Sequence, residues 1–389
     1  MVQKLFLIFY FLLLISSSSF AQNNSCHLRI SLLTCGPGEE LYSTFGHSAV
    51  RVTDSASNED IVYNYGTFSF DEPGFYTKFV RGKLMYYLST QDFISFKQDY
   101  EKEKRSMTEQ ILNLSCNEKS KMAKLLLQNL MGENKFYKYD FFFDNCTTRL
   151  RDLLEKSADS NVHYGSVVNT PTTFRQHIFE YMDRYDKKWI KLGMDLLLGA
   201  KTDAVMNNRQ AMFLPDYLLK AFDSAAIGST LVLLSKNMVI DIPAQPVQKN
   251  FFTDPLFIFS LLFVVIVLLS FSKNNSIQKN LYGFDGFVFF MAGFSGLLIL
   301  FMWFGTDHIV CQNNYNLLWT WPTHAVMAFF IHSKKRWAKK YFLISAICNS
   351  LVLLAWFFLP QQMNPAFIPI ILLLIFRGIA YAKKPVHSI

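Results

Sequence analysis

Cys146 follows Asp144-Asn145 at the end of a phenylalanine-rich run, Phe141-Phe142-Phe143, and opens a stretch with the apolar spacing of an amphipathic helix. A cysteine there feels the positive end of the helix macrodipole, which stabilises thiolate over thiol and makes a nucleophile. His47 stands upstream in Glu40-Leu41-Tyr42-Ser43-Thr44-Phe45-Gly46-His47-Ser48-Ala49-Val50-Arg51-Val52, at the start of a strand that can hold its ring rigidly. A neutral imidazole can take a proton from a thiol and return it to a leaving group. Together they outline a nucleophile and its base.

Such a pair needs a third polar group to orient the imidazole. Asn64, in Val62-Tyr63-Asn64-Tyr65-Gly66, is the first candidate and Glu40 the second. Backbone N–H groups at the helix start around Asn145, Cys146 and Thr147 can serve as an oxyanion hole, whereas Thr147 and Thr148 read as capping residues. Tyr42, Arg51 and Arg149 are further candidates for contacting substrate or supporting the pair. Arg51, Arg81 and Arg149 suit either a lipid phosphate or carboxylates within the domain, and the second role is expected for two of the three. No Cys/His spacing resembles a zinc site, so neither metal nor cofactor is expected.

Strands come first along this region and helices later. Leu28 to Thr34, Ser48 to Val52, Ile61 to Phe70 and Lys83 to Ser89 read as strands. Ser106 to Met131 reads as one helix and Cys146 to Ser157 as another. Helices with loops continue to about Ala226, and Ser229–Leu234 with Met238–Ile242 form a hairpin-like pair.

The 389 residues are 51% hydrophobic and include 39 Phe, too apolar for a wholly soluble protein. Residues 1–21 have the basic start, apolar core and Ser19-Phe20-Ala21 ending of a cleaved signal peptide. Residues 22–250 then form the exported domain. Residues 251–389 form an all-α membrane bundle, with apolar stretches near 256–271, 284–304, 316–332, 341–359 and 366–381, each close to the roughly 20 residues that cross a bilayer. Lys and Arg fill alternate loops, so the positive-inside rule puts the large N-terminal domain outside and the C-terminus in the cytoplasm. Ten Lys or Arg in cytoplasmic segments account for the formal charge of +8, and nucleic acid is not implied. Trp303, Trp319 and Trp321 suit the headgroup level, and Asp307-His308 lies in a loop on the side of Cys146, able to hold a headgroup or line the path of an acyl chain. With Cys146 as nucleophile, at most one disulfide forms among Cys26, Cys35 and Cys116.

The motifs Gly38 to Val52, Tyr63 to Phe70, Phe75 to Leu88 with Phe79-Val80-Arg81-Gly82, and Tyr139 to Leu154 resemble the Lnb N-terminal periplasmic domain family. The resemblance continues in Met212-Phe213-Leu214-Pro215 and in Asp307-His308 with Asn314 to Trp319 and Pro322. It implies an α+β, permuted papain-like exported domain with an antiparallel sheet, similar to NlpC-type amidases and lecithin–retinol acyltransferase, in which His precedes Cys. It also implies a bacterial inner-membrane lipoprotein N-acyltransferase: Cys146 would take an acyl chain from a phospholipid, with His47 as base and then acid, and pass it to the N-terminal amine of a diacylated lipoprotein. A membrane-tied thiol site suits substrates delivered in two dimensions. A cell-wall amidase or cysteine peptidase using the same pair, a phospholipase, and a binding module with a packed Cys146 are the alternatives.

Overall fold

A computed structural model describes residues 26–168, 170–242 and 249–383. The stretch expected as a signal peptide lies outside the described residues.

The N-terminal region is built on a seven-stranded sheet in which every neighbour runs antiparallel. Its strands are β1 (Leu28–Cys35), β2 (His47–Asp54), β3 (Glu59–Thr67), β4 (Met85–Asp92), β5 (Met107–Leu112), β6 (Phe136–Lys138) and β10 (Leu233–Ile240), in the order β10-β5-β1-β2-β3-β4-β6. A small sheet of β7 (Val162–His163), β8 (Ala226–Ile227) and β9 (Thr230–Leu231) stands apart. The helices are α1 (Phe75–Val80), α2 (Phe93–Lys102), α3 (Cys116–Leu130), α4 (Cys146–Ser157), α5 (Phe174–Arg184), α6 (Lys188–Leu197), α7 (Asn208–Ala211) and α8 (Pro215–Ser224).

Period-2 alternation splits the sheet's side chains between two cores. Ile30, Leu32, Val50 and Val52 face the main core with α3, α4, α5 and α8, while Leu33, Ala49 and Val62 face a smaller one with Phe96 and Tyr100 of α2.

Two expectations fail here. Ser106–Met131 is not one helix, because Met107–Leu112 pairs with β1 on one side and β10 on the other. The helix starts only at Cys116, where the Ser115 hydroxyl caps the Glu118 amide and Glu118 returns a bond to the Ser115 N–H. Likewise the two segments after Ser229 do not pair with each other as a hairpin: β9 pairs with β8, and β10 crosses to the edge of the main sheet beside β5.

From Pro255 the chain is helical and its polarity inverts, with large side chains such as Phe304, Phe329, Phe357 and Phe358 turned outward. The helices are α9 (Pro255–Ser270), α10 (Asn275–Phe304), α11 (Thr323–Met327), α12 (Arg336–Leu354) and α13 (Phe367–Lys383). By length and composition, α10 and α12 are able to cross a membrane, and α9 is a shorter apolar helix. The third apolar stretch is not one continuous helix: it breaks into short turns at Tyr315–Leu318, α11 and Ala328–Phe330. The Thr320 carbonyl presses to 1.7 Å of where a Cβ on Gly296 would stand, so only a glycine in α10 admits this broken backbone. Arg377, one of the ten basic residues of the expected cytoplasmic segments, is buried in a bidentate pair with Asp285 at 2.7 Å. Trp319 is also buried, against Phe367, with its indole N–H on Asn316.

A polar seam joins the two regions. Gly199 N–H donates to Val310 O, Ala200 N–H to Asn313 O, Asn314 to Leu196 O, Asn316 to Asp195 O, and Gln361 to Leu198 O. Both loops that lack Lys and Arg therefore touch the N-terminal region.

Candidate active site

The start of α4 is tied down by Asn145. Its side-chain oxygen accepts from the Thr148 amide at 2.8 Å, Thr148 Oγ1 accepts from the Asn145 N–H, and Asn145 Nδ2 donates to Phe141 O and Phe213 O. Asn145 is thus buried and occupied as a cap, linking the Phe141–Phe143 turn to Met212-Phe213-Leu214-Pro215. Arg149, one turn on, grips Asp144 with two hydrogen bonds and lies 3.5 Å over the Tyr137 ring.

His47 pairs with Cys35 across the first two strands, and its ring faces the sulfur of Cys146. Its Nε2 lies 2.5 Å from Asn64 Oδ1. An amide oxygen only accepts, so Nε2 carries a proton and Nδ1 is left to exchange one with the sulfur. Asn64 is aimed by the sheet itself, because the β3–β4 register shifts between Asn64 and Thr67. Within that bulge Gly66 has φ +89°, and a Cβ on it would sit 3.5 Å from that of Cys146. Glycine lets α4 close on the strand.

Electrostatics poise the thiol. Burial alone would push the Cys146 pKa up, but the His47 charge, the hydrogen bond from His47, the Ser48 backbone N–H and the Thr147 hydroxyl together bring it down to about 7. Burial lowers that of His47, yet the facing sulfur and the bond to Asn64 outweigh it and raise the value. The two shifts describe one proton shared within a thiolate–imidazolium pair. Cys146 is 8% exposed, so the sulfur is sheltered. In the first turn of α4 the Thr148 amide is taken by the Asn145 cap, and the Cys146 and Thr147 amides, which have no intrahelical acceptors, lie beside the sulfur. A sheltered thiol with its pKa drawn down to about 7, next to an imidazole and the amides of Cys146 and Thr147, can attack an ester or amide carbonyl and hold the resulting oxyanion.

Residues 17–180 match the family described as the Lnb N-terminal periplasmic domain, and residues 247–385 match the Lnb transmembrane domain. The chain belongs to the Lnb family. It is accordingly a membrane protein with a periplasmic N-terminal domain, and the family's function is of the lipoprotein N-acyltransferase type. Comparison with curated proteins and with solved structures finds no match.

Of the remaining candidates of this Lnb-family chain, only Thr147 touches the Cys146 sulfur. Glu40 is exposed and serves its loop through its carbonyl, which accepts from the Ser43 and Thr44 hydroxyls. Tyr42 is exposed, edge-on to Phe68. The Arg51 guanidinium is committed to Asp60 and Glu109 and lies 3.4 Å over Phe93. Thr147 is buried, its hydroxyl bonding to Ser48. Asp307 and His308 bind the 80–82 turn and Lys138 rather than Cys146.

Sequence reasoning missed the Ser48 amide and Arg105, a buried guanidinium bonded to Gly36 O and Glu103 whose charge opposes that of His47. Nothing local marks Arg105, since β5 was read as helix. Among the periplasmic thiols, Cys26 and Cys116 are hydrogen-bonded to each other, whereas Cys35 is buried against Tyr100 and pushed up to about 12.

Proposed function

We propose that this chain is a multi-pass inner-membrane lipoprotein N-acyltransferase that works through a Cys146 acyl-thioester. The reading has a cleaved signal peptide at 1–21, a periplasmic thiol domain at 22–250 of permuted papain-like type, and about five spans ending in a cytoplasmic C-terminus. Support for that topology comes from the seam, which joins the Lys- and Arg-free loops to the periplasmic domain. The observation that carries the reaction is the Cys146–His47 pair, with its thiol near pKa 7 in a membrane-bound domain.

In the first half-reaction the thiolate adds to an ester carbonyl of a phospholipid, and the oxyanion takes hydrogen bonds from the start of α4. The C–O bond breaks, His47 gives its proton to the leaving alkoxide, and lysophospholipid departs. In the second, the N-terminal amine of a diacylated lipoprotein adds to the thioester, His47 takes the amine proton, and the thiolate leaves with an amide formed. Asn64 keeps the imidazole in the tautomer that both halves need.

The test is to express wild type and Cys146→Ala in a host depleted of its own lipoprotein N-acyltransferase and to weigh a lipoprotein's N-terminal peptide. An added amide-linked acyl chain with wild type alone is expected. No added chain in either, with the protein inserted, contradicts the reading and leaves amidase, peptidase or phospholipase.

A further inference from the structure

The segment between β3 and β4 carries aromatic surface that the periplasmic core does not use. Phe70, Tyr76 and Phe79 are 64%, 77% and 51% exposed. Ring contacts hold them as one raft, with Phe68 against Phe70 and Phe75, and Phe75 against Tyr76 and Phe79. Apolar area left in water forgoes about 25 cal/mol per Å², and a contiguous patch of this kind marks a binding surface.

What covers the raft follows from what holds it. The Asp307 N–H donates to Arg81 O at 3.0 Å, His308 Nε2 donates to Val80 O at 3.1 Å, and Lys138 Nζ reaches Asp307 at 2.5 Å. These bonds fasten the end of α1 to the residues directly after α10 in the transmembrane domain. The last turn of α10 ends in Phe304, 75% exposed, with the Trp303 ring stacked on it. Outward apolar surface on a spanning helix faces lipid, and aromatic rings concentrate where such a helix meets the headgroups. The raft therefore continues the lipid-facing surface of α10. Arg81 and Lys83, both exposed beside it, are placed to meet phosphates.

The raft also connects inward. Phe68 packs on Tyr86 at 5.3 Å, Tyr86 stacks on Tyr139 at 4.3 Å, and Tyr139 borders the Gly66 gap beside Cys146.

We infer that α1 and the Phe68–Phe70 segment are a foot that seats in the periplasmic leaflet of the bilayer holding the transmembrane domain, and that an acyl chain reaches Cys146 along Phe68, Tyr86 and Tyr139. The acyl-chain route rests on the acyltransferase reading; the lipid contact does not.

The experiment places a photoreactive benzoylphenylalanine at position 76, 79 or, as control, 102 at the exposed end of α2. The full chain is reconstituted in vesicles of phosphatidylethanolamine and phosphatidylglycerol, with Cys146 intact or changed to alanine. Light should give phospholipid adducts at 76 and 79 about tenfold above 102, with or without Cys146, as expected for apolar side chains seated in an interface. Adducts no greater than at 102, or adducts only to a second copy of the chain, overturn the foot. Lipid adducts at 76 together with no acyl chain on Cys146 where that residue is intact, read as the intact mass of the same sample, would sustain the foot and overturn the acyltransferase reading instead.

Discussion

The periplasmic domain holds two buried polar clusters of opposite design. Around Arg175 every guanidinium nitrogen is engaged: the group, fully buried, bonds Asp195, Asp203 and the Leu198 and Gly199 carbonyls, and Asn364 completes Asp195. Around Cys146 the pair is left balanced, with a thiol near 7 facing a histidine whose pKa is raised. The saturated cluster fixes geometry, since it stands where α6 meets the transmembrane loops. The pair at Cys146 holds a proton that either partner can carry. Burial is common to both; what separates them is that the Arg175 charge is fixed at any working pH, whereas the charges of Cys146 and His47 depend on one proton held between two groups of similar affinity.

The comparison is broken most severely by removing the sulfur. Cys146→Ala should abolish acyl transfer, a loss of at least about 10⁴-fold by analogy with other deleted nucleophiles, without lowering the thermal midpoint. His47→Ala should cost about 10²–10⁴-fold and leave burial at the thiol opposed only by the Ser48 amide and the Thr147 hydroxyl. Iodoacetamide alkylation of Cys146, which needs thiolate, should then rise through a midpoint well above pH 7 instead of near it; an unchanged midpoint would mean that His47 does not set the thiol. Arg175→Met strands the buried Asp195 and the largely covered Asp203 and should cost about 3–5 kcal/mol of stability, read in a melting curve, with the alkylation midpoint still near 7. Asn64→Ala should lower turnover about a hundredfold through a misplaced imidazole, less than loss of His47. Arg149→Lys, which trades a bidentate, stacked guanidinium for a point charge at the half-exposed Asp144, should cost no more than about 1 kcal/mol.

Much of the site could be read from the residues because its signals are local. A cap sequence before Cys146, a strand beginning at His47 and an Asn two residues before a glycine each carry their own physics. The Asp307-His308 and Asn314–Trp319 motifs were visible as well, but their work was not: they bond to Val80, Arg81, Asp195 and Leu196, partners far away in sequence. β5 was hidden because Leu112 and Leu114 extend the apolar period of the following helix, and only the Ser115-Glu118 capping box marks the break. The broken third apolar stretch was hidden too, because hydropathy reports the medium and not whether the backbone is continuous.

The most direct test is the intact mass of the purified full chain after incubation with phospholipid vesicles and no lipoprotein. The account predicts one added acyl chain on the peptide containing Cys146, removed by neutral hydroxylamine and absent from Cys146→Ala. An unmodified Cys146 in a protein that nonetheless acylates lipoprotein would contradict it.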